Sequence, residues 1–267
     1  MKLSASLSTH PVSFDAVPFK EHFHENAETI KTLGFDGIEL AMRNPLIVDQ
    51  FDVIETVKHI GLEIPAVSTG QAWSEDRLSM TDEDEAVRKA AVERVYSHIQ
   101  FAEKVGAVVV IGLIRGIVAP GADRDAAAQQ MFDALKLCCI RGEEHGVRIA
   151  LEPLNRYETT LVNTVRQGLE VIEQIGCGNI GLLLDTFHMN IEEPCLEESI
   201  ALAGKKIYHV HYADSNRLPP GGGHLDFPHI LSSLKKAGYT GYLSAEHAAE
   251  DVQAVRRGFE HMKKSMQ

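Results

Sequence analysis

Eight short apolar runs recur along the chain, each separated from the next by a longer segment of helical pattern. They fall at residues 2–8, 37–41, 63–69, 108–113, 148–154, 180–186, 207–214 and 241–247. Several, such as VVVIGL and IGLLL, are almost wholly apolar, the mark of parallel strands covered on both faces. Parallel neighbours need a crossover of about a dozen or more residues, and the intervening segments supply it. Eight such units predict a single-domain α/β fold over residues 1–267, the (β/α)8 TIM barrel. An open doubly wound sheet is the competing arrangement, weakened because no GxGxxG follows the first run.

The clearest helical segment spans residues 82–105. Val87, Ala91, Val95, Ile99 and Ala102 form one apolar stripe along it, and Asp82, Glu83 and Asp84 suit the positive end of its dipole. Thr81 is the expected N-cap and Gly106 the stop. Glycines 34, 61, 146, 176, 204 and 238 stand at the same point after other segments, where a left-handed residue commonly ends a helix.

Composition narrows the role. At 44% hydrophobic and 24% charged residues the chain is ordinary globular material. Its 26 basic and 38 acidic residues leave a formal charge of −12, which repels phosphate backbones and anionic lipid and argues against nucleic-acid or membrane partners. The four cysteines, 138, 139, 177 and 195, form no CxxC, and no apolar run has the length of a signal peptide or membrane span. A cytoplasmic protein is expected.

Polar residues gather where the last four strands end. IALEPLNRYE places Glu152, LLLDTFHMN places Asp185, YHVHYADSNR places His211 and LSAEH places Glu246. Each shares a strand face with the residue two before it, so all four are expected to point inward at the active end of the barrel. Grouped without a counter-charge they would be costly, and one divalent cation resolves that cost. Three carboxylates and an imidazole favour Mn2+ or Mg2+, with Co2+ or Zn2+ as alternatives. Mn2+ is the expected ion.

Two glutamates on one cation suit proton exchange beside a ketone. The cation supplies acidity to the neighbouring C–H, and the glutamates remove and return the proton. Glu158, His188 and Arg217 are expected on loops above the site, contacting substrate oxygens. Arg43 and Arg115 are candidates for a substrate carboxylate or phosphate, with a structural ion pair as the alternative. Gln71 and Trp73 follow the third strand; Gln71 is a candidate substrate contact, and Trp73 either covers the sugar or packs an ordinary loop. His209 is read as an interior histidine below the cation. PPGGGH lacks the Lys and Ser/Thr of a phosphate loop and is read as a tight loop presenting Arg217.

The segments LEPLNRYE, LLLDTFHMNIEE, HVHYADSNR, GHLDF and SAEH resemble, in order and spacing, the xylose-isomerase-like TIM-barrel superfamily, and within it the ketose 3-epimerases of tagatose and psicose type. The resemblance implies that Glu152, Asp185, His211 and Glu246 bind the divalent metal. It also implies that Glu152 and Glu246 exchange the proton, and that Glu158, His188 and Arg217 contact substrate. GIELAMRNP, STGQAW and IGLIRG in the first half are similar to the 5-keto-L-gluconate epimerase branch, which implies a keto-acid substrate such as 5-keto-L-gluconate or D-tagaturonate. An aldose–ketose isomerase of hydroxypyruvate isomerase type and a dehydratase remain alternatives on the same scaffold. An endonuclease-IV-like repair enzyme and a binding module fit less well. By analogy with such barrels, association through outer helices into a homo-oligomer is expected.

Overall fold

A computed structural model describes residues 1–12, 14–119 and 121–267. Eight parallel strands close into a barrel in sequence order: β1 (Lys2–Ser8), β2 (Gly37–Ala41), β3 (Ala66–Ser68), β4 (Val108–Ile111), β5 (Ile149–Leu151), β6 (Ile180–Asp185), β7 (Ile207–Tyr212) and β8 (Tyr242–Ala245). Ladders Lys2↔Tyr242 to Ala5↔Ala245 join the two chain ends, so no sheet edge is left open. The helices are α1 (Phe23–Leu33), α2 (Gln50–His59), α3 (Gly70–Ser74), α4 (Glu85–Val105), α5 (Arg124–Glu144), α6 (Val165–Ile175), α7 (Thr186–Glu192), α8 (Leu196–Ala203), α9 (Phe227–Lys236) and α10 (Val252–Ser265). Among the described residues, no helix is long and apolar enough to cross a membrane.

The main apolar core lies between strands and helices, where the outward residues of the strands meet the inward stripes of the helices. Along α4, Ala91, Val95, Ile99 and Ala102 are fully buried on this seam. Inside the barrel the filling is split. Ala66, Val108, Val110, Ala150 and Leu183 form a small apolar cluster on the β3–β6 side. Ser4, Ser6, Ser244, Glu39 and His209 make the β7–β2 side polar, though they are just as buried.

Two expectations shift locally. Strands expected at 63–69 and 148–154 shorten to Ala66–Ser68 and Ile149–Leu151: β3 starts late, Glu63 meeting Gly37 only as an isolated bridge, and β5 ends early as the chain leaves the ladder for the loop above the barrel. Helix α4 starts three residues late, capped by Asp84, which accepts from the Ala86 N–H at 2.8 Å. Thr81 is buried below, its hydroxyl near Ser79 Oγ at 3.3 Å and the Ile117 carbonyl, so it is unavailable to cap. Gly106 ends the helix at φ +70°, as the spacing predicts.

Candidate active site

Each strand end delivers one side chain to a common point. Glu152 follows β5, its N–H held by the Ile111 carbonyl at 3.0 Å. Asp185 closes β6 and caps α7, accepting from Phe187 N–H at 2.8 Å through one oxygen and leaving the other inward. His211 lies on β7 and Glu246 just past β8. One ligand atom from each of Glu152, Asp185, His211 and Glu246 lies within 4.8 Å of the other three. His211 Nδ1 stands 3.3 Å from Glu246 Oε2, 3.6 Å from Glu152 Oε1 and 3.9 Å from Asp185 Oδ2.

Two of these atoms, Glu152 Oε1 and His211 Nδ1, are buried without a hydrogen-bond partner. Orphaned buried groups of this kind are costly unless a ligand satisfies them, and a hard oxygen-rich donor set with one imidazole suits a divalent cation. The residues present therefore fit such an ion. Without it, burial pushes the Glu152 carboxyl up to about 7, Glu246 and Asp185 adding repulsion against the lowering contact with His211. Burial opposes charge on His211, but the carboxylates of Glu246 and Glu39 outweigh it and hold the imidazole well above its ordinary value.

Arg217 is the cation at the cavity wall. Its Nη1 reaches Asp185 Oδ2 at 2.6 Å, its Nη2 donates to Glu246 Oε2, and its guanidinium lies 4.8 Å over the Phe187 ring. The PPGGGH loop does present it. The Asp214 carboxylate gathers the N–H groups of Ser215, Gly221 and Leu225, and a Cβ on Gly223 would strike that carboxylate. Arg217 itself takes the left-handed φ of +63°, a strained setting for a non-glycine residue.

His188, on α7, is buried beside the cluster with Nε2 at 3.8 Å from Asp185 and 3.9 Å from Glu152. Burial, reinforced by Arg217, keeps it neutral, well below its ordinary pKa. Its Nδ1 accepts from Asn155 Nδ2 at 2.8 Å, and the same amide donates to Glu158 at 2.8 Å. Gln71, Trp73, Glu158, His188 and Arg217 all line the cavity above the cluster. Gln71 donates to Ser8 Oγ at 2.6 Å and leaves its Oε1 buried and unpartnered.

Arg43 and Arg115 are not brought to the cavity. Arg43 pairs with Asp76 at 2.5–2.8 Å, the ion-pair alternative. Arg115 is wholly buried and donates to the carbonyls of Gly112, Leu161 and Val162 at 3.0–3.1 Å, tying the β4 and β5 loops together. Sequence reasoning missed Glu39 and Asn155. Glu39, fully buried on β2, accepts from His209 at 2.8 Å and from His211 at 2.9 Å, and these imidazoles outweigh burial to hold it far below the carboxylate range. Its signal was present: a lone carboxylate inside the apolar strand GIELA. Asn155 had none beyond its place in LNRYE.

Comparison with known proteins agrees with this architecture. The family described as xylose isomerase-like TIM barrel matches residues 27–265. L-ribulose 3-epimerase of Mesorhizobium japonicum is 31% identical over 251 residues, covering 93% of this chain and 83% of that protein. 3-Dehydro-D-guloside 4-epimerase of Escherichia coli is 27% identical over 258 residues, covering 89% and 93%. The crystal structure of 3-keto-D-glucoside 4-epimerase from E. coli superposes with a TM-score of 0.83 at 26% identity, covering 99% of both chains. The chain thus belongs to the xylose isomerase-like TIM barrel family, as an isomerase-class enzyme of the epimerase kind.

Proposed function

We propose that the enzyme inverts the carbon next to the ketone of a keto sugar, with Glu152 and Glu246 as the proton-exchanging pair. The observation that carries this reading is the convergence of two carboxylates from non-adjacent strand ends, β5 and β8, on one imidazole at 3.6 and 3.3 Å. Relatives of this chain are named ketose 3-epimerases and a keto-sugar 4-epimerase.

One glutamate removes the C–H proton, leaving the electron pair delocalised as an enediolate. The other returns a proton to the opposite face, so the configuration inverts and no atom is lost. Glu152, Asp185, His211 and Glu246 would hold the divalent cation, Mn2+ first, whose charge offsets negative charge developing on the substrate oxygens. Arg217 holds the Glu246 and Asp185 carboxylates in place, and His188, kept neutral, donates to a substrate oxygen. Trp73 and the apolar wall residues exclude water above the reacting carbon.

The first-half resemblance implies a keto acid, which needs a cation for its carboxylate. Among the described lining residues Arg217 is the only arginine or lysine, and two carboxylates already engage it. A neutral keto sugar therefore leads, with 5-keto-L-gluconate and D-tagaturonate as the acidic comparison. Incubation with Mn2+ and each substrate in D2O should place deuterium at the epimerised carbon of a neutral ketose. Deuterium entering none of the panel would overturn the reading; a product whose carbonyl has moved would make the enzyme an aldose–ketose isomerase.

A further inference from the structure

Resting on the reading of the cluster as a cation site, we propose that Glu39 is a positioning residue that aims the Nδ1 lone pair of His211 at the cation. An imidazole ligand has two nitrogens, and only one can coordinate. His211 Nε2 sits 2.9 and 3.0 Å from the two Glu39 oxygens. A carboxylate only accepts, so that nitrogen carries the proton. When a cation takes the place of the second proton, the bare nitrogen is Nδ1, the atom that stands among Glu152, Asp185 and Glu246 without a hydrogen-bond partner.

Glu39 cannot easily swing away. It is fully buried, His209 Nε2 holds its Oε2 at 2.8 Å, and the two imidazole rings stand edge to face at 5.4 Å and 85°. Strand β2, three places round the barrel from β7, thus braces a side chain it does not adjoin. This also gives His209 its place: it steadies Glu39 rather than coordinating. Partners of this kind fix the tautomer and ring orientation of a ligating histidine, and their loss commonly weakens metal affinity by about 10–100-fold.

The test is the Mn2+ dissociation constant of the full chain, measured by calorimetry for wild type, Glu39→Gln and Glu39→Asp. One Mn2+ per chain is expected in the wild type. Glu39→Gln, which places an amide donor against one of two imidazole donors, should bind about 10-fold or more weakly with native far-UV circular dichroism. Glu39→Asp, which keeps the charge, should recover part of the loss. Nitrogen-15 NMR of the Mg2+-loaded wild type needs no variant and decides the matter if Glu39→Gln does not fold: His211 should carry its proton on Nε2. A proton on Nδ1, or unchanged Mn2+ affinity in Glu39→Gln, overturns the role of Glu39 alone. A wild type that binds neither ion removes the cation reading and this role with it.

Discussion

Glu152 and Glu246 share one imidazole and one cavity but differ in setting, since Glu246 is held by Arg217 while Glu152 has an orphaned oxygen. If they are the acid–base pair, removing either should stop exchange, not merely slow binding. Glu152→Gln and Glu246→Gln are each expected to lower the rate of solvent-deuterium incorporation by about 10²–10⁴-fold; a loss under tenfold in both would remove them from the chemistry. Arg115 belongs to the loop framework. Arg115→Ala strips donors from three buried carbonyls and should cost on the order of 3 kcal/mol in denaturant unfolding. A change confined to KM for acidic substrates would return Arg115 to the substrate. The clustering of Glu152, Asp185, His211 and Glu246 at strand ends was legible in the sequence because alternation says which way they face. Arg43 and Arg115 were not, because an arginine six or seven bonds long reaches partners that linear order does not reveal, here Asp76 and the 161–162 backbone.

At the scale of elements, periodicity located every strand and helix α4, while boundaries followed tertiary needs. Thr81 and Asp84 are both good caps by residue type; packing against the 117 loop claims Thr81, and Asp84 caps. Asp84→Ala is accordingly expected to lose about 1 kcal/mol of stability, readable as a lower melting temperature. In β6, a Cβ on Gly181 would lie 2.5 Å from the Lys206 carbonyl oxygen and 2.6 Å from the Tyr208 ring, beside the register shift at Leu182/Leu183. Gly181→Ala should therefore cost about 1–3 kcal/mol by overpacking and disturb the strand that carries Asp185. Unchanged stability would show that β6 and β7 can part there without penalty.

For the whole molecule, pH and metal act on the same buried charges. In metal-free protein the Glu152 carboxyl rises from 4.5 to about 7 on folding and His211 is raised above 6.5. In both cases the folded state holds its proton more tightly than the unfolded chain. Stability is thus favoured at acid pH and falls as pH climbs, from 4.5 through 7 for Glu152 and above 6.5 for His211. Glu39 runs the other way: its depressed pKa contributes stability above 4.5 that is lost on acidification. Burial holds His98, His188, His209 and His247 below 6.5, so these four add stability as pH rises to about 6.5 and little beyond it. Melting temperatures of metal-free protein should therefore decline only above that window, between about pH 7 and 9. Saturating Mn2+ should raise them, and more at pH 8, because the cation binds deprotonated ligands. A Mn2+ shift that does not grow with pH would contradict this account.

The order of eight strands, the inward face of each and the four polar strand ends were set by local sequence, because a strand's two-residue period and a helix's stripe are properties of neighbouring residues. The polar half of the barrel interior, the brace from Glu39 to His211 and the withdrawal of Arg43 and Arg115 from the cavity were decided only by closure. Glu39 and His211 lie 172 residues apart, and nothing in either segment names the other. Their meeting follows from the circumference of a closed barrel, which brings inward side chains of non-adjacent strands within hydrogen-bonding reach.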